Sequence, residues 1–289
     1  MKYRSNSILA HIPQNRNGEL ILKQALFFQK KLGMRIFLMD IIKSGSFFPF
    51  NPNSKRNKIR HQNELNKFTE FVKKHLQSEI PNNIMLRIGW GKVIKTLITE
   101  SEEGGHEFVL LDKSEKQNAE DLSRADVDRY ISKSFCPVLT INKDYQAKEI
   151  KRIFIPIDIS QRTKKRLYWA TFFAKKLDAK IQIVSALNAD IKETTSLAYK
   201  KAESLKEMLQ KRGVDCGVKI IKVHGQERHH AILEYLEKEK PDMVIIRTHR
   251  ESRFTGKKIG TFVSEIVHCC KMPVFTVGGV SQDFNPDTI

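Results

Sequence analysis

A short stretch near the end of the chain combines basic side chains with the start of a helical pattern. An apolar run ends at Arg247, Arg250 lies three residues further on, and nine residues separate Arg250 from Gly260 and Thr261. Backbone N–H groups at a helix N-terminus carry a partial positive charge, and guanidinium groups bind phosphate oxygens in pairs. This spacing therefore predicts an anion-binding turn, with phosphate as the favoured anion.

Each of these residues also has an interpretation that needs no ligand. The two arginines either fill the turn and pair with nearby carboxylates, or hold phosphate through their guanidinium groups. Thr261 either offers its hydroxyl to a ligand or acts only as an N-cap, a position at which threonine is favoured. The sequence leaves both alternatives open.

An internal repeat indicates which elements position this turn. Residues 25–42 and 170–187 share the pattern Phe-Phe-x-Lys-Lys-Leu at an offset of 145 residues. A repeat decides the architecture before any motif does, so we interpret the chain as two similar halves. The other matched blocks are residues 7–15 with 152–160, 108–115 with 244–250, and 136–141 with 272–277.

Short apolar runs alternate with longer stretches of helical period in both halves, which indicates alternating strands and helices. That order is typical of a parallel sheet covered by helices on both faces. We therefore expect an α/β fold with two domains, residues 1–145 and 150–281, joined near residues 142–151. Residues 43–64 are rich in turn formers and basic side chains, and are predicted to be a long loop before a helix.

Four features of the chain are similar to those of one protein family: the strand–helix order, the stretch PDMVIIRTHR, the nine-residue spacing to Gly260-Thr261 and the closing MPVFTV. In these features the chain resembles the universal stress protein family, as a tandem of two such domains. The resemblance covers nearly the whole chain. It implies that each half is a flavodoxin-like or adenine nucleotide alpha hydrolase-like domain with a five-stranded parallel sheet. It also implies that the halves pair as two subunits do in single-domain relatives, which often dimerise through the last strand.

The resemblance further implies an adenine nucleotide site in the second half, for ATP or AMP. By this resemblance, the family's aspartate next to the adenosine corresponds to Asp158. The family's glycine-containing phosphate-binding motif, called the family frame below, corresponds to Arg247, Arg250, Gly260 and Thr261. Two of the three glycines of the family frame are therefore arginines in this chain.

The first half departs further from the family frame. Asp112, Glu115 and Ala125-Asp126 occupy the frame positions, and Pro13 occupies the position of the adenosine aspartate. Three carboxylates facing an incoming phosphate would repel it by more than about 1 kcal/mol at intermediate dielectric. We therefore expect no triphosphate in the first half.

Composition and charge narrow the classes of function. The 289 residues are 40% hydrophobic and 29% charged, near the averages of globular proteins, which excludes a disordered chain. No apolar run is long enough for a membrane span or a signal peptide, and the four cysteines lack metal spacing. We therefore expect a cytoplasmic protein with reduced thiols and no membrane insertion. The net charge of +18 is spread evenly, with +8 in residues 1–145 and +10 in the remainder.

The sequence assigns neither a metal site nor a catalytic residue. His229 and His230 are adjacent, so on a helix their side chains would point about 100° apart and would rarely share a metal ion. No Ser/His/Asp or Cys/His arrangement has sequence support. We expect a protein that is not an enzyme, with weak ATP hydrolysis left open.

Three functions are compatible with these observations. The first is a stress-response binding or regulatory protein that works without turnover through an unidentified protein partner, with a homodimer left open. The second is a stress regulator that binds ATP or AMP in its second domain. The third is a binder of nucleic acid or anionic surfaces that uses Lys55, Arg56, Lys58 and Arg60.

Overall fold

A computed structural model describes residues 6–42, 54–116, 121–146, 149–157, 164–225, 227–248 and 259–278. These residues form ten strands, eight α-helices and one short 3-10 helix at Glu193–Thr195. The strands are β1 (Ser7–His11), β2 (Arg35–Ile42), β3 (Ile84–Trp90), β4 (Phe108–Asp112), β5 (Val138–Ile141), β6 (Arg152–Pro156), β7 (Lys180–Asn188), β8 (Cys216–Val223), β9 (Met243–Arg247) and β10 (Val274–Val277). The helices are α1 (Arg16–Leu32), α2 (Lys55–Leu76), α3 (Val93–Glu103), α4 (Arg124–Lys133), α5 (Lys164–Leu177), α6 (Leu197–Gln210), α7 (Arg228–Glu239) and α8 (Thr261–Cys269).

All ten strands belong to one sheet, in the order β3-β2-β1-β4-β5-β10-β9-β6-β7-β8. Every neighbouring pair is parallel except β5 with β10, which is antiparallel. Each half thus contributes five parallel strands in the same spatial order, which confirms the predicted α/β fold. The order reverses between β1 and β4 and again between β6 and β9, and open α/β sheets bind ligands outside the carboxyl ends of strands at such points.

Two apolar cores lie on opposite faces of the sheet. Ile8 and Ala10 of β1 belong to one core and Leu9 to the other, as the two-residue period of a strand requires. The first core is covered by α1, α2, α5 and α6, and the second by α3, α4, α7 and α8. Among the described residues, none of the helices has both the length and the apolar content that a bilayer span requires.

The repeat offset reappears in the elements, except at the crossover before the third strand of each half. β1 and β6 begin 145 residues apart, and so do β2 and β7. Ile36 pairs with Ile84 and Ile181 pairs with Cys216, so the third strands lie only 132 residues apart (216 − 84). The helices of these crossovers account for most of the difference, because α2 has 22 residues and α6 has 14.

The prediction of a loop over residues 43–64 is wrong from residue 55 onward, whereas residues 43–53 lie outside the described residues. α2 begins at Lys55, after the Ser54 hydroxyl accepts a hydrogen bond from the N–H of Asn57 at 3.2 Å. Basic residues in a first turn oppose the helix dipole. Phe68 and Val72 of the same helix are fully buried, and burial of this apolar face stabilises the helix despite its unfavourable start.

The joint between the halves is part of the core. The hydroxyls of Thr140 and Thr276 donate across the β5–β10 pair to the carbonyls of Val274 (3.1 Å) and Val138 (3.2 Å). Buried rings from both halves pack against this pair: Phe108, Trp169, Phe173 and Phe275. The last strand of each half thus forms the joint, as the family resemblance implied.

Candidate anion-binding site

The predicted site lies at the carboxyl edge of the second half of the sheet, where the strand order reverses between β6 and β9. Because α8 connects the parallel strands β9 and β10, its N-terminus faces the edge at which β9 ends. Three of the five predicted site residues, Arg247, Gly260 and Thr261, are at this edge. Asp158 and Arg250 lie outside the described residues.

Arg247 is the last residue of β9 and is half-buried. It pairs with Val277 of β10, and this pairing fixes the backbone of Arg247 at the edge of the sheet. The next residue, Thr248, is buried, and its N–H and hydroxyl donate to the carbonyl of Val277 at 3.1 and 3.4 Å. Arg247 therefore projects from a backbone segment that is held against β10.

Among the described residues, no side chain caps the N-terminus of α8. Gly260 is the N-cap, with φ −64° and ψ 148°, and its carbonyl accepts from the N–H groups of Val263 and Ser264 at 3.0 Å. The interpretation of Thr261 as the N-cap is wrong, because the extended backbone that defines this position belongs to Gly260. The exposed Thr261 is the first residue of the helix, so no side chain occupies the first turn from the N-cap position.

The matching helix of the first half has a closed N-terminus. Ser123 and Asp126 form a capping box at the start of α4. The Ser123 hydroxyl accepts from the Asp126 N–H at 3.2 Å, and the Asp126 carboxylate accepts from the Ser123 N–H at 3.2 Å. The Asp126 carboxylate already occupies the position that an anion would take, so α4 offers no anion site.

The other two carboxylates of the first-half frame already have hydrogen-bond or ion-pair partners. Asp112 at the end of β4 accepts a hydrogen bond from the Ser114 N–H at 2.7 Å and another from its hydroxyl. Burial raises the pKa of Asp112, and the nearby Asp121 adds to the rise. Glu115 does not lie with Asp112 and Asp121, because its side chain is exposed and pairs with Arg124 at 3.5 Å.

The first half instead has an acidic cavity of about 320 Å³ at the carboxyl edge of β1 and β2. Its lining includes Pro13, Glu64 and the buried Asp40, whose carboxylate accepts from the amide of Gln14 at 2.7 Å. Two carboxylates in a confined space disfavour a phosphate. Asp40 gave no signal in the sequence, because a single acidic residue in an apolar run does not show which side chains surround it.

Lys113 connects the first half to the opposite end of α8. Its side chain is buried, and its amine donates to the carbonyls of Cys270 at 2.7 Å and Met272 at 2.8 Å. Burial lowers the pKa of Lys113 to about 7. Carbonyls at a helix C-terminus carry partial negative charge, so this lysine satisfies the carbonyl of Cys270, the C-cap of α8.

A second contact between the halves holds the side of α8. Asp128 of α4 accepts from the Ser264 hydroxyl at 2.8 Å and lies 2.8 Å from Nε2 of His268. This trio contains the residue types of a catalytic triad but not its geometry, because the serine bonds to the aspartate rather than to the imidazole. The arrangement fixes α8 against α4.

Comparison with protein-family models identifies a family for the second half of the chain. Residues 149–278 match the model of the universal stress protein family. No curated protein sequence gives a significant match to the chain.

Solved structures match the whole chain in fold. A universal stress protein from Archaeoglobus fulgidus DSM 4304 covers 96% of this chain and 99% of its own, with 16% identity and a TM-score of 0.69. A universal stress protein candidate from Pseudomonas aeruginosa UCBPP-PA14 covers 94% of this chain and 93% of its own, with 17% identity and a TM-score of 0.65. A shorter universal stress protein from Archaeoglobus fulgidus, in complex with dAMP, covers 44% of this chain and 97% of its own, with 18% identity and a TM-score of 0.36.

The family model falls on the half that carries the uncapped helix, and the two full-length matches share the fold of both halves. The second half of this chain, residues 149–278, thus belongs to the universal stress protein family, and the whole chain has the fold of tandem universal stress proteins.

Proposed function

We propose that this chain is a stress-response binding protein without turnover, whose second half binds an adenine mononucleotide and whose first half serves as a scaffold. The observation that carries the proposal is the difference between α8 and α4. Within the part of the chain that the structure describes, the N-cap of α8 is a glycine that makes no side-chain capping bond, whereas the first turn of α4 is closed by Asp126. An anion is stabilised at the first position and repelled at the second.

The location of α8 supports the same conclusion. Its N-terminus faces the reversal of strand order between β6 and β9, with Arg247 at the end of β9. Arg247 and the α8 N-terminus thus lie at the same edge of the sheet, and guanidinium groups and helix N–H groups are two kinds of phosphate donor. The adenosine part of the proposal rests on the resemblance to the universal stress protein family, which carries the adenosine aspartate over to Asp158.

The scaffold role of the first half follows from its contacts with α8. Lys113 holds the carbonyls at the C-terminus of this helix, and Asp128 holds Ser264 and His268 on its side. A binding site on a helix that is fixed at two points loses less entropy when the ligand binds. The degenerate first half thus contributes to the second-half site without a ligand of its own.

Binding without turnover is the simplest chemistry for these residues. The Ser264 hydroxyl donates to the Asp128 carboxylate rather than to the His268 imidazole, so this group lacks the hydroxyl–imidazole pair of a triad nucleophile. Arg247 and the α8 N–H groups stabilise a bound anion in its ground state, and such uniform binding does not by itself accelerate a reaction.

Calorimetric titration of the tag-free full chain with AMP, dAMP and magnesium ATP tests the proposal. We expect micromolar binding of one mononucleotide per chain, with binding lost in Asp158→Ala and retained in Asp144→Ala, which changes an exposed aspartate of the first half. Absence of heat with all three ligands at millimolar concentration would remove the nucleotide part of the proposal. Equal binding by both variants would remove the role of Asp158.

A second candidate function, binding of nucleic acid or an anionic surface, is favoured by the start of α2. Lys55, Arg56, Lys58 and Arg60 are all exposed within its first two turns. Their charges oppose the dipole of the helix on which they lie, so they do not stabilise that helix terminus. A cluster of exposed cations at one end of a helix is the electrostatic requirement for contacts with phosphates.

A further inference from the structure

The start of α7 brings together three groups that bind metal ions. Glu227 is the N-cap of α7, and His229 and His230 lie in its first turn. One potential ligand atom from each of these residues lies within 4.8 Å of the other two. The imidazole rings of His229 and His230 have centroids only 4.2 Å apart.

This geometry differs from the expectation for adjacent helical residues. Side chains at neighbouring helix positions start about 100° apart, and the sequence therefore assigned no metal site. In the structure the two rings approach each other at an angle of 65°, and the Glu227 carboxylate lies 3.1 Å from Nδ1 of His229. Two ligands at about 2.1 Å from one tetrahedral zinc ion lie roughly 3.4 Å apart, close to this separation.

The second nitrogen of His229 faces a carboxylate on a different helix. Nε2 of His229 lies 3.6 Å from Oε2 of Glu265 on α8. This oxygen is buried and has no hydrogen-bond partner among the described residues. A metal-bound histidine almost always directs its other nitrogen to a carboxylate, which fixes its tautomer and ring orientation. Glu265 supplies that carboxylate. Its contact with His229 is evidence independent of the arrangement of the three ligand residues.

We propose that Glu227, His229 and His230 form a zinc-binding site at the start of α7, in which Glu265 positions the ring of His229. Imidazole and carboxylate ligands suit a late first-row divalent ion, and three protein ligands are too few for Ca²⁺. Three ligands also leave a fourth position of the zinc ion open to water. The bound ion links α7 to α8 through the contact between His229 and Glu265.

The test uses tag-free full-length protein after treatment with a chelator. Titration with zinc chloride is expected to show one ion per chain in the wild type, with affinity at least tenfold weaker in His229→Ala and His230→Ala. Glu265→Gln should retain the stoichiometry and lower the affinity by about 10- to 100-fold, as expected for a positioning residue. Intense visible bands of bound Co²⁺, typical of four-coordinate geometry, should be lost in His230→Ala.

Two control variants separate this site from other metal-binding groups. His224→Ala removes an exposed histidine before α7, and Cys269→Ser removes an exposed thiol on α8. Both are expected to bind zinc as the wild type does. The proposal is overturned if zinc does not bind up to about 1 mM, or if binding survives both histidine replacements and disappears in Cys269→Ser.

Discussion

The amine of Lys113 donates a hydrogen bond of 2.7 Å to the carbonyl of Cys270, and through this contact the first half of the chain holds the C-terminus of α8. The N-terminus of the same helix is the uncapped end at which we place the anion. One helix of the second half therefore carries both the proposed site and the contact that fixes it. This relationship gives the degenerate first half a structural role.

Lys113 should make stability depend on pH. Its pKa is about 7 in the folded state and has the ordinary value of 10.5 in the unfolded state. Between these values the unfolded chain binds one more proton, so the free energy of unfolding rises with pH and falls as pH drops towards 7. The slope from this residue is about 1.4 kcal/mol per pH unit above its folded-state pKa.

Chemical denaturation at pH 7.0 and 8.5 measures this slope. Lys113→Met is expected to abolish the lysine contribution, so its stability rises less over this interval than that of the wild type. Lys116→Met, which removes an exposed lysine three residues away, should leave the slope unchanged. The same slope in Lys113→Met and the wild type would show that the buried amine keeps its proton.

Asp128 should contribute to stability through its contacts with α8. Asp128→Ala removes the acceptor of both Ser264 and His268, and we expect a loss of about 1.5–3 kcal/mol, as for hydrogen bonds to charged groups. Asp128→Asn keeps an acceptor oxygen and should lose less. Urea denaturation of the two variants checks this order, and equal stability of Asp128→Ala and the wild type would exclude a role for the contact.

The capping box of α4 should be structural only. Ser123→Ala removes the side-chain acceptor of the Asp126 N–H, which costs about 1 kcal/mol at an N-cap. Because we place no ligand at α4, nucleotide affinity should not change. Thermal denaturation and calorimetry on the same variant check both expectations, and a change in affinity would contradict the scaffold role of the first half.

The basic start of α2 predicts salt-dependent binding if this chain contacts a duplex. Four phosphate contacts give a slope of log K against log salt of roughly −3.6. Replacing Lys55, Arg56, Lys58 and Arg60 by alanine should remove most of this slope in fluorescence anisotropy. The charge-matched control replaces four exposed lysines of the second half: Lys192, Lys200, Lys211 and Lys219. Equal slopes in the two variants would indicate binding through overall charge.

Periodicity and the repeat predicted most of the fold. The offset of 145 residues places the ends of α1 and α5 at equivalent positions, Leu32 and Leu177, as observed. The start of α2 was missed because turn formers precede it and cations occupy its first turn. Helix formation there depends on the burial of Phe68 and Val72, which is a tertiary effect that local propensity does not contain.

The candidate site was predicted only in part. The spacing located the α8 terminus correctly, but the N-cap is Gly260, one residue before Thr261, for which an N-cap role was one of the two alternatives. Lys113 and the Asp128–His268 contact gave no sequence signal, because a buried lysine looks like any surface lysine and the two partners of Asp128 lie more than 130 residues away. Such contacts depend on how β5 pairs with β10.

The most direct measurement compares AMP binding by Gly260→Asp and Gly260→Ala in calorimetric titration. Aspartate at the N-cap would occupy the first turn of α8 with its own carboxylate, as Asp126 does in α4, whereas alanine leaves the N–H groups available. We expect Gly260→Ala to bind nearly as well as the wild type and Gly260→Asp to bind at least about tenfold more weakly, a difference of about 1.4 kcal/mol. Equal affinity of the two variants would contradict a phosphate site at the N-terminus of α8.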